Sequence, residues 1–231
     1  MGLETVFFDA GGVLMFPNWW RISDALAARG VMVSPEALMK AEPTARRELD
    51  DRRVIGGTTD ATRGWLFFDL ILAQAGVARS DATAAALAEL HRHHTASNLW
   101  EYVPDNVVPV LERLRGRGLR MVVVSNANGT LLKHMERLDL TQRFDCVLDS
   151  ADEGVEKPDP RFFEIALARS GARKETTIHV GDLYHVDIVG ARGAGLRGVL
   201  LDEMNLRPDA DCPRVASLDE LAVRIAAGEF N

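Results

Sequence analysis

Val6-Phe7-Phe8-Asp9-Ala10-Gly11-Gly12-Val13-Leu14 is the stretch of sequence that indicates the fold most directly. Its first three residues are apolar on both faces of an extended chain, which is typical of a strand buried inside a parallel sheet. Asp9 follows at the carboxyl end of that strand, where open parallel sheets bind their ligands. The glycines after it allow a sharp turn and a close approach of the backbone to a ligand. We therefore expect Asp9 to be a nucleophile, although a single aspartate in this setting is more commonly a turn or N-cap residue.

Length and composition limit the classes of protein to which the chain can belong. Its 231 residues are enough for one α/β domain with an insertion, or for two small domains. A net charge of −7 without a long basic run argues against nucleic acid as a partner. No apolar run approaches the length of a membrane span, and the N-terminus lacks the pattern of a signal peptide. We expect a cytoplasmic protein that has no membrane partner.

The cysteines and histidines do not predict a metal site. Cys146 and Cys212 are too few and too far apart for a disulfide framework or a metal cluster. His91, His93 and His94 are close together, but no carboxylate or cysteine nearby completes a set of metal ligands. We expect these histidines to form a solvated helix end.

From Pro104 onward, short apolar runs alternate with helical patterns. This alternation favours an α/β fold, with a doubly wound parallel sheet whose two faces are covered by helices. The strands predicted after the first one are residues 120–124, 146–148, 177–180 and 198–201.

Residues 22–94 have a different pattern, without β-rich runs. Glycines separate stretches of helical periodicity, and Ser34-Pro35 is typical of an N-cap followed by a first-turn proline. We therefore predict an all-helical domain of residues 17–102, inserted into a sheet domain of residues 1–16 and 103–231. The helices predicted within it are residues 22–29, 35–49, 58–75 and 81–94.

Three further polar motifs follow predicted strands or precede a helix. They are Val124-Ser125-Asn126, Glu156-Lys157-Pro158, and Gly181-Asp182 with Asp187. Together with Phe8-Asp9-Ala10-Gly11, and in this order, they resemble the four motifs of the haloacid dehalogenase-like (HAD) hydrolase superfamily. The resemblance covers essentially the whole chain, since the helical insertion lies where that family has its type-one cap. It implies a Rossmann-like core with a helical cap domain.

The residue types in these motifs suit phosphoryl transfer. A carboxylate at a strand end can attack phosphorus in line, and the transferred group then needs cations and hydrogen-bond donors around it. Asp182 and Asp187 offer the hard oxygen ligands that Mg²⁺ prefers, and converging carboxylates would repel one another without a cation. The resemblance implies that Asp9 and the backbone carbonyl of Gly11 complete the Mg²⁺ ligands. The predicted catalytic residues are Asp9, Ser125 and Lys157, and the predicted substrate-binding residues are Ser125, Asn126 and Lys157.

Gly11 departs from the pattern of the family. Most phosphatases of the superfamily have a second aspartate at this position, which protonates the leaving oxygen and then activates water. Glycine cannot do this, and general acid–base catalysis contributes about 10²–10⁴-fold. We therefore expect an Mg²⁺-dependent phosphohydrolase, a monomer or homodimer, whose small phosphorylated substrate has a good leaving group unless the cap lends a side chain. Two alternatives stay open: a haloacid dehalogenase, whose branch also lacks this aspartate, and a non-enzymatic protein that binds phosphate or Mg²⁺.

Overall fold

The computed structural model describes residues 2–231, apart from the side chains of Asp60 and Ala61. The described chain forms two compact units. The sheet unit consists of the chain up to Met15 and of Val103–Asn231, and the helical unit is Phe16–Tyr102. Within the described residues, no helix has the length and apolar character needed to span a bilayer.

The described strands of the sheet unit form one fully parallel sheet. They are β1 (Thr5–Phe8), β2 (Arg120–Ser125), β3 (Cys146–Asp149), β4 (Thr177–Gly181), β5 (Arg197–Leu201) and β6 (Arg214–Val215). Their order across the sheet is β3-β2-β1-β4-β5-β6, which confirms the predicted doubly wound, Rossmann-like α/β fold. In β1, Phe8 is in register with Val123 of β2 and with Val180 of β4. The sequence does not predict β6, because two residues are too few to show a pattern.

Helices cover both faces of this sheet. Phe7, on one face of β1, packs with Phe162 and Phe163 from the helix Pro160–Ser170. Val6 and Phe8 point to the opposite face and are as completely buried as Phe7. The helices of the sheet unit are Val107–Gly116, Leu131–Arg137, Ser150–Glu153, Pro160–Ser170, Val189–Gly193 and Leu218–Ala226.

The helical unit has a hydrophobic core of its own. Trp19, Leu38 and Phe68, each from a different helix, belong to one buried cluster. Ser34 caps its helix by accepting a hydrogen bond from a first-turn backbone N–H, as the Ser34-Pro35 motif predicts. The helices of this unit are Trp19–Ala27, Pro35–Leu49, Arg52–Gly57, Asp60–Gln74 and Asp81–Ser97. The third of these lies where the paired glycines predict only a break between helices.

The segment after β4 differs from its prediction. The sequence predicts a helix over residues 186–194, whereas the chain first forms a π-helical turn at Tyr184–Ile188 and only then the α-helix Val189–Gly193. Turns of this kind are rare and are often found at functional sites. A hydrogen bond of 2.7 Å from the Asp187 N–H to the Leu183 carbonyl closes the start of this segment. The apolar periodicity of the sequence cannot distinguish the two helix types, because they differ by one residue in a single turn.

Candidate active site

Three neighbouring strands bring Asp9, Ser125 and Asp182 to the same edge of the sheet. Asp9 follows β1, and its backbone N–H donates to the Val180 carbonyl at 2.9 Å, which continues the pairing of β1 with β4. Ser125 is the last residue of β2, and its side chain is close enough to Asp9 to lower the pKa of that carboxyl. Asp182 follows β4 directly. The predicted nucleophile, hydroxyl donor and acidic metal ligand are therefore together in space.

Lys157 reaches this edge from the loop that precedes the helix Pro160–Ser170. Its ammonium nitrogen, Nζ, lies 2.9 Å from Asp9 Oδ1 and 2.7 Å from Asp187 Oδ1. The backbone N–H of Ala10 also donates to Asp9 Oδ1, at 2.8 Å. Only 1% of the Lys157 side chain is exposed, so solvent screens its charge little. A buried cation and a backbone donor thus hold the carboxylate of the predicted nucleophile.

Burial and charge together set the pKa values in this group. Burial raises the pKa of Asp9, and the charge of Lys157 opposes this only in part. Burial would also raise the pKa of Asp187, but the Lys157 charge and a hydrogen bond from His179 hold it well below its ordinary value. The pKa of Lys157 is raised, because the two carboxylates outweigh the effect of burial on the ammonium. Asp187 and Lys157 are therefore both charged at neutral pH.

Two glycines leave the space that two of the carboxylates occupy. A Cβ atom at Gly12 would lie 2.2 Å from Asp182 Oδ2, and a Cβ atom at Gly181 would lie 2.1 Å from Asp187 Cγ. Gly12 also has a φ of +77°, in the left-handed region that favours glycine. Any side chain at either position would displace a carboxylate of the site.

The acidic residues of this edge fit a divalent cation. Asp9, Asp182 and Asp187 each offer one carboxylate oxygen, and these atoms lie within 4.8 Å of one another. A set of hard oxygen donors at this spacing suits Mg²⁺. Gly11 lies in the tight turn after Asp9. In this turn the Gly12 N–H donates a hydrogen bond of 2.9 Å to the Met15 carbonyl.

Asp187 is held by three donors from the protein. Its Oδ1 accepts hydrogen bonds from Lys157 Nζ at 2.7 Å and from His179 Nε2 at 2.9 Å. Its Oδ2 accepts from the Leu183 N–H at 3.0 Å. Because a carboxylate oxygen has about two acceptor positions, Oδ2 is the oxygen that keeps capacity for a cation.

Asn126 contacts the main chain of Lys157 through both ends of its carboxamide. Its Nδ2 donates to the Lys157 carbonyl at 3.0 Å, and the Lys157 N–H donates to its Oδ1 at 2.7 Å. The side chain therefore ties the end of β2 to the loop that carries the ammonium. The sequence predicts Asn126 to bind substrate, and that role stays a prediction.

Comparison with known proteins identifies the family. A family model described as haloacid dehalogenase-like hydrolase matches residues 3–195. The chain belongs to the haloacid dehalogenase-like hydrolases. Human haloacid dehalogenase-like hydrolase domain-containing protein 3 is 32% identical over 179 residues, which are 75% of this chain and 70% of that protein. Ribulose-1,5-bisphosphate 5-phosphatase of Halopiger xanaduensis is 32% identical over 168 residues, which are 72% of this chain and 69% of that protein.

Solved structures of HAD hydrolases share the fold. The magnesium-bound HAD-hydrolase YfnB of Bacillus subtilis matches with a TM-score of 0.69 over 97% of this chain and 99% of that chain, at 18% identity. Haloacid dehalogenases are among the other solved structures that match. The chain spans about half the length of one curated relative, the bovine domain-containing protein 3, where the match covers 51% of that protein. The resemblance inferred from the four motifs is thus confirmed, and the matching proteins include both phosphatases and haloacid dehalogenases.

The sequence motifs predict no role for two polar residues of this HAD hydrolase. His179 lies in β4 and donates to Asp187, while Asp149 at the end of β3 accepts from the N–H groups of Gly129 and Leu131 at 2.8 and 3.1 Å. His179 stands inside the predicted strand 177–180, and Asp149 directly follows the predicted strand 146–148. A histidine inside a strand predicted to be buried, and a carboxylate directly after such a strand, are the signals that could have identified them.

The three neighbouring histidines of the helical unit are engaged in contacts within that unit. His93 Nε2 is 2.9 Å from Glu101 Oε1, and His94 Nδ1 accepts from the Leu99 N–H at 3.2 Å. The ring centroids of His91 and Trp65 are 4.4 Å apart. The prediction of a solvated helix end is therefore wrong for His93 and His94, which are half-buried.

Proposed function

We propose that this chain is an Mg²⁺-dependent phosphohydrolase in which Asp9 takes the phosphoryl group of a small phosphorylated metabolite and water then removes it. The proposal rests chiefly on the Asp9 carboxylate, which follows a central strand and lies 2.9 Å from a buried ammonium. Two more carboxylates lie close enough to share a cation with it. The phosphatase names among the relatives support a phosphorylated substrate.

The reaction has two displacement steps. In the first, an oxygen of ionised Asp9 forms a bond to phosphorus while the bond from phosphorus to the leaving oxygen breaks, and that oxygen departs with the bonding electrons. In the second, a water oxygen forms a bond to phosphorus while the bond from phosphorus to the Asp9 oxygen breaks, so that inorganic phosphate leaves with the protons of the water and Asp9 is restored as a carboxylate. The charge of Lys157 opposes the effect of burial on the pKa of Asp9 and offsets charge on the phosphoryl oxygens, and Ser125 donates a hydrogen bond to one of them.

The donor set also accounts for the proposed ion. Mg²⁺ supplies positive charge that lowers the repulsion between an anionic nucleophile and an anionic phosphate. Gly12 and Gly181 leave the space in which two of the carboxylates face the site. The ligands that we propose are Asp9, the Gly11 carbonyl, Asp182 and Asp187.

Gly11 points to a class of substrate. Since this position has no side chain, it cannot protonate a leaving oxygen, and a substrate whose leaving group is stable as an anion needs no such proton. Aryl phosphates, acyl phosphates and anomeric sugar phosphates meet this condition. We further propose that the helical unit, Phe16–Tyr102, is the cap domain that selects among them.

Hydrolysis of p-nitrophenyl phosphate and of alkyl phosphates, with Mg²⁺ and with EDTA, tests this function. We expect Mg²⁺-dependent release of phosphate that falls steeply as the leaving group becomes more basic. Asp9→Asn should abolish it, because a neutral amide is a poor nucleophile, whereas the exposed Asp105→Asn should not. Equal rates on aryl and alkyl esters, or activity retained in Asp9→Asn, would contradict the proposal.

A haloacid dehalogenase is the second candidate, and Gly11 is the observation that favours it. Halide leaves without a proton, so that reaction also needs no acid at this position. Turnover of chloroacetate in EDTA, without turnover of phosphate esters, would favour the dehalogenase. Binding of Mg²⁺ or phosphate with no turnover of any of these substrates would favour a binding protein.

A further inference from the structure

His179 is a titratable side chain in the middle of a buried strand. It is completely buried in β4, between the apolar residues Ile178 and Val180. The ring of Phe163 packs edge-on against it, with 4.9 Å between the ring centroids. A polar ring in such surroundings costs free energy unless it forms hydrogen bonds. Its position therefore requires an explanation in terms of the group that it contacts.

That group is Asp187. His179 Nε2 lies 2.9 Å from Asp187 Oδ1, the oxygen that also accepts from Lys157 Nζ. The other ring nitrogen, Nδ1, is buried and has no hydrogen-bond partner among the described residues. Burial lowers the pKa of His179, so the ring is neutral. Since Nε2 faces a carboxylate, it must bear the proton, and this contact determines the tautomer.

We propose that His179 is a positioning residue that, through Asp187, holds the Lys157 ammonium against the Asp9 carboxylate. Its importance for turnover rests on the proposed phosphohydrolase function. The contact of the Lys157 ammonium with Asp9 and Asp187, which His179 is proposed to maintain, can be tested without turnover.

The geometry explains how a residue that cannot touch substrate affects the reaction. Lys157 lies between two carboxylates, 2.7 Å from Asp187 and 2.9 Å from Asp9, and it can approach one at the expense of the other. The Nε2–H of His179 restricts the rotation of the Asp187 carboxylate. Without this donor, Asp187 Oδ1 is free to follow the ammonium, and the distance from the ammonium to Asp9 is no longer defined.

The kinetic test compares two substitutions of His179. His179→Phe keeps an aromatic ring but removes the donor, whereas His179→Gln keeps an N–H of similar reach. Ile178→Ala is the control, because it disturbs the same buried strand on the opposite face. With p-nitrophenyl phosphate, we expect His179→Phe to lower kcat by about 10–100-fold with little change in KM, as for other residues that orient a ligand of a metal site.

His179→Gln should recover most of this loss, and Ile178→Ala should keep the wild-type kcat while it lowers Tm. If folded His179→Phe has the kcat of the control, or if His179→Gln is as impaired as His179→Phe, the positioning role is refuted. These outcomes separate positioning from a purely structural role, for which the loss of kcat would parallel the loss of Tm in all the variants.

The second measurement uses no substrate. Lys157 is buried, whereas the other lysines of the chain, Lys40, Lys133 and Lys174, are exposed. In a protein labelled with ¹⁵N-lysine, the Lys157 ammonium should therefore give a distinct NMR signal whose protons exchange slowly with solvent. The chemical shift of this signal should change in Asp9→Asn.

We expect this signal to move in His179→Phe as well, and to stay in place in Ile178→Ala. An unchanged Lys157 signal in His179→Phe would overturn the inference whether or not the protein hydrolyses phosphate esters. If wild-type protein shows no turnover but the signal moves as expected, only the proposed function fails.

Discussion

Replacing Lys157 by methionine removes the buried cation that lies between two carboxylates. The ammonium nitrogen is 2.9 Å from Asp9 and 2.7 Å from Asp187, and the Asp187 side chain is 0% exposed. Methionine has nearly the same length as lysine and is apolar, so it leaves little cavity. The change in the free energy of unfolding therefore measures chiefly the loss of charge compensation.

The size of this change in the free energy of unfolding follows from the attraction between the charges and the opposing cost of desolvating them. At an effective dielectric constant of about 20, one contact of this length is worth about 6 kcal/mol of attraction. Desolvation of the buried ions offsets several kcal/mol of that attraction. Removing one partner leaves Asp187 without its cation, and breaking buried pairs in this way costs about 3–5 kcal/mol. We expect a loss in this range at neutral pH.

Urea denaturation in EDTA measures the loss. The exposed Lys174→Met is the matched control and should change the free energy of unfolding by no more than about 0.5 kcal/mol. Adding Asp187→Asn to Lys157→Met should restore part of the loss, because it removes the uncompensated charge, with a coupling of about 0.5–3 kcal/mol. A loss below about 1 kcal/mol in Lys157→Met, or strictly additive effects of the two substitutions, would refute the reasoning.

Three further predictions concern the turn after β1 and the helical unit. Gly12→Ala and Gly118→Ala should each lose about 1 kcal/mol of stability through backbone strain, since their φ angles are +77° and +78°. Only Gly12→Ala should also lose Mg²⁺ binding in calorimetric titrations, because only its Cβ overlaps Asp182, and equal affinities would contradict the proposed metal site. Gly11→Asp should raise the turnover of alkyl phosphates relative to aryl phosphates; no gain would mean that another group already acts as the general acid. Burial would raise the pKa of Glu101, but its hydrogen-bond donors outweigh burial and lower this pKa. Ionised Glu101 therefore stabilises the fold above the pKa of an unfolded glutamate, and this stabilisation is lost as the pH falls through the pKa of Glu101 in the folded protein. Glu101→Gln should therefore cost about 1 kcal/mol at neutral pH in urea titrations and less in acid, whereas a pH-independent cost would exclude this origin.

Much of the fold could be predicted because its signals are local. The central strands are apolar on both faces, and each is followed by a helical pattern, so their existence and parallel direction follow from the sequence. The same logic predicts that Asp9 and Ser125 meet, because carboxyl ends of neighbouring parallel strands share one edge. The two-residue strand β6 and the π-helical turn at Tyr184–Ile188 could not be predicted, because neither has a periodicity of its own.

The sequence by itself determined which residue types stand at the strand ends, and hence an acidic edge with a serine and a lysine available to it. Only the tertiary structure decided how these groups pair. Lys157 and Asp187 are 30 residues apart in the chain, and Asn126 and Lys157 are 31 apart. Hydrogen bonds between residues at such separations leave no local pattern, because they depend on the packing of whole strands and loops. His179 and Asp187 are only 8 residues apart, but they belong to elements of different type, β4 and the π-helical turn. Their contact, and its consequence for Lys157, therefore became visible only in the folded chain.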